Sequence, residues 1–139
     1  MARRIDVTGT GGVRLAAWEF GDPPKTDPAK EHDGRLGVLL LHGLMGRASH
    51  WASTARWLSE RHRAVALDQR GHGRSDKPAQ AAFTREAYVD DAEAALEQLG
   101  LAPAVLVGHA MGALTAWQLA AKRPDLVRGL IICDMRASA

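Results

Sequence analysis

The sequence predicts an α/β fold in which a mostly parallel sheet is wrapped by helices. Three observations carry that reading. Four short, continuous apolar runs, "LGVLLL" (36–41), "AVALD" (64–68), "AVLVG" (104–108) and "GLIIC" (129–133), have the length and evenness of strands buried on both faces. Segments with apolar residues at helical spacing lie between them. Glycine-rich loops follow three of the runs, at the carboxyl ends of strands, where open parallel sheets bind ligands.

Each element follows from local pattern. "RRIDV" and "VRLAAWEF" flank Gly9 to Gly12 and read as an opening antiparallel hairpin. Residues 21–34, "GDPPKTDPAKEHDG", combine prolines and charges without periodicity, which marks an exposed loop. After the 36–41 strand, Ser49 is expected to cap a helix running to about Arg61, with Trp51, Ala55 and Leu58 on one face. Residues 84–99 form a helix with Tyr88, Ala92, Ala95, Leu96 and Leu99 together; Asp90, Asp91, Glu93 and Glu97 are read as its solvated side. Residues 110–122 form the next helix. Trp51, Trp57 and Trp117 are read as core rather than as a substrate platform. Strands separated by helices imply parallel pairing with helices on both faces.

Composition sets the limits. A chain of 139 residues that is 46% hydrophobic and 24% charged suits one domain, without repeats or low-complexity tracts. A net charge of +2, with no basic run beyond Arg3-Arg4, gives no reason to expect nucleic acid. The single cysteine, Cys133, sits in an apolar run and reads as core packing in a reducing compartment. No apolar stretch follows "MARRIDV" as a secretory signal would require, and no run approaches the roughly 20 residues of a membrane span. The cytoplasm is therefore the default location, with no membrane contact expected.

The three loops carry the chemistry. "GHAMG" (108–112) has the spacing of a G-x-S-x-G turn between strand and helix, with alanine at the centre. In such a turn the flanking glycines, Gly108 and Gly112, avoid collisions with neighbouring backbone. The Met111 amide would face a developing oxyanion, with the positive end of the helix behind it. "HGLMG" (42–46) follows the first parallel strand. His42 is expected to order that loop by hydrogen bonding rather than to act as a base. His42, Gly43, Met45 and His109 are candidate lining residues, although packing explains His109 equally well. In "DQRGHGRSD" (68–76), Asp68 and Arg70 would organise the loop through backbone bonds. It lacks the frame of a phosphate loop, and His42, His72 and His109 lack metal-ligand spacing, so neither a metal nor a cofactor is expected.

Taken in order, these loops resemble those of the α/β-hydrolase fold family, from the opening hairpin to the sixth strand. The resemblance implies that the Leu44 amide is the second oxyanion donor and that serine belongs at 110. It also implies a lid, two further strands, an acid and a histidine base after the sixth strand. No histidine follows His109 here, so the chain is expected to be the amino-terminal part, residues 1–139, of a single hydrolase domain. Its expected partners are a small-molecule acyl substrate and the carboxyl-terminal half of the same enzyme. Some relatives place the acid after the sixth strand, which makes Asp134 a candidate.

Holding a residue with a Cβ at an elbow costs on the order of 1 to 3 kcal/mol. Serine offsets that by catalysis, and alanine does not. The intact frame favours a deliberate Ser-to-Ala replacement, the smallest edit that removes the hydroxyl and traps bound substrate, over a natural pseudoenzyme. The expected activity is serine-dependent hydrolysis of a carboxylic ester, lactone or related acyl bond, silent with Ala110. The alternatives are a noncatalytic binder, a C–C bond hydrolase or a perhydrolase. Epoxide hydrolases and dehalogenases need aspartate at 110, and peptidases resembling proline iminopeptidases differ at "HGLMG".

Overall fold

Buried strands and amphipathic helices assemble as the patterns require. The computed structural model describes residues 2–21 and 35–133. The hairpin is β1 (Ala2–Thr8) and β2 (Arg14–Phe20), and the parallel strands are β3 (Gly37–Leu41), β4 (Arg63–Leu67), β5 (Ala104–His109) and β6 (Val127–Cys133). The helices are α1 (Ala52–Leu58), α2 (Arg85–Gln98) and α3 (Met111–Lys122). Strand order is β1-β2-β4-β3-β5-β6, with β2 antiparallel to both β1 and β4, and β4, β3, β5 and β6 parallel. The exposed loop expected at 21–34 lies, apart from Gly21, outside the described residues, as does Asp134.

Alternation along each strand divides the core in two. Leu39, Leu41, Val65, Leu67 and Leu106 face α2 and α3, where Ala92, Ala95, Leu96, Ala116 and Leu119 meet them. Val38, Leu40, Ala64, Ala66 and Val107 face the other way and pack with Ala48 and Ala55 beneath α1. Wrapping on both faces explains the unbroken apolar runs. After β3 the chain turns one way to β4, then returns across β3 to β5. Ligands bind at such a reversal in strand order, outside the carboxyl ends of the strands.

Several expectations need correction. The 49–61 helix is a 3-10 turn, Ala48–Trp51, followed by the short α1, and Ser49 caps nothing. The Asp68 carboxylate takes the Ala48 N–H at 2.7 Å, supplying from another loop the acceptor a cap would have offered. Trp57 and Trp117 are 70% and 53% exposed, because the faces of α1 and α3 that meet the sheet run through Ala55 and through Ala113, Ala116 and Leu119. Asp91 leaves the solvated face: it is 1% exposed and bonds the equally buried Arg70 through both oxygens, at 2.7 and 2.9 Å. Cys133 is half-buried against the α1-side core. Leu130, Ile131 and Ile132 leave β6 an apolar edge of the described sheet.

Candidate active site

The sharp turn between β5 and α3 is the centre of the site. Ala110 holds φ 51° and ψ −114°, a conformation that L-residues avoid. Three bonds fix it: the Ala110 N–H donates to the Cys133 carbonyl at 3.2 Å, and the Ala110 carbonyl accepts from Ala113 and Leu114. The surrounding glycines are sterically required. A Cβ at Gly112 would strike the Leu41 carbonyl and lie 2.6 Å from the His42 oxygen, while one at Gly108 would lie 2.5 Å from the Ala113 Cα. Met111 begins α3, so its N–H has no carbonyl one turn earlier to bond.

The loop after β3 covers this turn. A Cβ at Gly43 would come 3.3 Å from that of Ala110 and 2.9 Å from His109 Nδ1, so the Gly43 backbone lies directly against both residues. Gly43 and Gly46 close a tight turn, with the Gly46 N–H donating to the Gly43 carbonyl at 2.9 Å. Its third residue, Met45, has φ 65°, the sign that position takes in a type II turn. Leu44 and Met45 project outward, 67% and 85% exposed.

His42 orders the loop from behind. Its Nδ1 bonds the Gly43 carbonyl at 2.8 Å, which only a protonated Nδ1 can do, and Nε2 accepts the Gln69 N–H at 3.0 Å. The Gln69 side-chain amide returns a bond to the His42 carbonyl at 2.7 Å. Burial pushes the His42 pKa from 6.5 down to about 4, against the raising effect of its Gly43 bond and helped by neighbouring His72. His42 is 1% exposed with both ring nitrogens engaged, so it supports the site from beneath and presents no ring nitrogen to a ligand. That corrects its expected place among the lining residues.

The third loop ties these parts together. Asp68 accepts from Ala48, from the Arg74 N–H and from Trp18 Nε1. Arg70 donates to the Ala82 and Thr10 carbonyls besides Asp91. Backbone bonding by both residues is as the sequence suggests. Sequence reasoning missed Gln69 and His72. His72 Nε2 accepts the Met45 N–H at 3.1 Å, and its ring centroid stands 4.8 Å from that of His42. Among the described residues no three His, Cys, Asp or Glu side chains are placed to hold a metal ion.

Comparison with known proteins agrees with this geometry. A family model described as alpha/beta hydrolase fold matches residues 38–138. A 2-(acetamidomethylene)succinate hydrolase of Mesorhizobium japonicum is 34% identical over 134 residues, 96% of this chain and 42% of that protein. An sn-1-specific diacylglycerol lipase of Mus musculus is 41% identical over 100 residues, 70% of this chain and 32% of that protein. Among solved structures, an epoxide hydrolase from Vigna radiata superposes with a TM-score of 0.80 at 28% identity, covering 94% of this chain and 39% of that one. The chain thus spans less than half the length of these relatives. With its reversed strand order, its strained elbow and a family match across most of its length, the chain belongs to the α/β-hydrolase fold family.

Proposed function

We propose that this protein is built to bind and hydrolyse a carboxylic ester, lactone or related acyl compound, with residue 110 at the nucleophile position. The observation that carries the reading is the retained elbow: Ala110 keeps φ 51° against the Gly43 loop although alanine gains nothing from that strain. With serine at 110, Oγ would attack the acyl carbon while the Leu44 and Met111 amides hold the oxyanion. The alcohol would leave with a proton, and water would then release the acid from the acyl-enzyme. A histidine outside these 139 residues would move the protons. It would come from the segment of the same enzyme that adds to the sheet at β6. With Ala110 the site binds and does not turn over, since loss of such a serine costs about 10⁶ in kcat.

Similarity to a lipase and to a succinate-derivative hydrolase supports acyl chemistry. Similarity to an epoxide hydrolase supplies the competing chemistry, which needs a carboxylate at 110. The noncatalytic binder is favoured by alanine itself, standing in an otherwise preserved turn. Turnover by Ala110→Ser and Ala110→Asp forms of the intact protein separates the three. Release of p-nitrophenol from p-nitrophenyl butyrate, or opening of a γ-lactone, by the serine form alone supports acyl hydrolysis. Opening of styrene oxide by the aspartate form alone supports the epoxide reading, and no turnover by either supports the binder.

A further inference from the structure

His72 is placed to control the shape of the loop that covers the elbow. Its Nδ1 lies 3.0 Å from the Arg70 carbonyl, which can only accept, so Nδ1 carries the proton and Nε2 is bare. That bare nitrogen receives the Met45 N–H at 3.1 Å. Met45 is the third residue of the Gly43–Gly46 turn, and its amide belongs to the peptide whose orientation distinguishes a type II turn from a type I turn. The type II form requires positive φ at this position, which a methionine resists, whereas the type I form does not. The bond to His72 therefore opposes the turn's own preference.

We propose that neutral His72 is a positioning residue that holds the Leu44–Met45 peptide in its strained orientation, and that protonating His72 at Nε2 releases it. An imidazolium has no acceptor, so its new N–H would point at the Met45 N–H. The turn then relaxes toward negative φ at Met45, and the Leu44 backbone, next to the Gly43 that lies against residue 110, loses its fixed place. His72 is itself anchored at a distance, because Arg70 is fastened to Asp91 of α2 and to the Thr10 and Ala82 carbonyls. The ionisable groups around this arrangement are His42, whose ring lies against His72; Asp68, beside Gly73; His50, beside Gly46; His109, against Gly43; and the Arg70–Asp91 pair. Burial holds the His42 pKa near 4, well below its ordinary 6.5.

The role in catalysis rests on the acyl-hydrolase reading, whereas the loop's response to pH does not. The test uses the intact protein labelled with ¹⁵N-methionine, which reports Met45 and Met111 in one spectrum. Amide exchange at Met45, corrected for the intrinsic pH dependence, should accelerate about tenfold as pH falls through the His72 titration, followed by its ring signals, while the corrected rate at Met111 stays constant. His72→Phe should show the fast Met45 exchange at every pH. His72→Gln, whose side-chain oxygen can reach the place of Nε2, should restore slow, pH-independent exchange. Met45 exchange that ignores His72 protonation in the unsubstituted protein overturns the proposal, and so does a glutamine form as fast as the phenylalanine form. In the Ala110→Ser background, kcat should fall with the same titration, and His72→Gln should remove that limb and leave only the one set by the histidine base. A kcat profile without that limb refutes the catalytic part, and absence of all turnover refutes the acyl-hydrolase reading while the exchange data still decide the loop.

Discussion

Gly112 lies so close to Leu41 that a single methyl group on it would strike the Leu41 carbonyl oxygen. The contact joins the first turn of α3 to the carboxyl end of β3, and it draws the elbow against the loop that covers it. Because the obstacle is strand backbone, nothing nearby can rotate aside. Gly112→Ala should destabilise the protein by about 3 kcal/mol or more. Gly100→Ala, at positive φ but with open space around it, should cost only about 1 kcal/mol. Urea denaturation of both variants checks the contrast.

Strain at Ala110 makes the opposite prediction for its own site. Glycine tolerates positive φ, and relief of about 1 to 3 kcal/mol is only partly offset by the greater freedom of glycine in the unfolded chain. Ala110→Gly should raise stability by about 1 kcal/mol, while Ala110→Ser leaves it nearly unchanged. An Ala110→Gly protein less stable than the alanine form in thermal denaturation would show the turn to be unstrained.

The buried Arg70–Asp91 pair joins the 68–76 loop to α2, at 2% and 1% side-chain exposure. Removing one partner strands the other charge in the core, so Arg70→Met should cost about 3 to 5 kcal/mol. Replacing both, Arg70→Met with Asp91→Leu, should recover much of that loss. A double-mutant cycle in urea measures the coupling.

These residues also mark where sequence reading succeeds and fails. The parallel strands are readable because burial on both faces demands continuous apolar runs, and the elbow because steric limits leave glycine alone at 108 and 112. Residue type alone puts Asp91 on the solvated side of α2. Its position, three after Tyr88 and four before Ala95, already puts it on the buried face of α2, where a charge requires a partner. That partner is 21 residues away, in a loop whose path no local pattern encodes. His72 is hidden for the same reason: its acceptor role depends on a turn formed 27 residues earlier. Trp57 and Trp117 mislead because a large aromatic residue suggests burial, although helical phase puts each on an outer face.

His42 ties stability to pH. Its folded pKa of about 4 lies below its ordinary 6.5, so between those values the unfolded chain binds the proton that the fold excludes. Stability should therefore decline as pH falls from about 6.5 to 4, by about 3 kcal/mol over the whole interval from this group. His42→Asn should lower stability at neutral pH and flatten that decline, as measured by urea midpoints across the interval.

The most direct test of the acyl-hydrolase proposal is covalent labelling of the Ala110→Ser form of the intact protein by a fluorophosphonate, read by peptide mass spectrometry. A serine at this elbow, served by a base and two oxyanion amides, should carry the phosphonyl adduct at residue 110, and the alanine form should carry none. A folded Ala110→Ser protein that remains unlabelled at 110 would contradict the proposal that this position is built for a nucleophile.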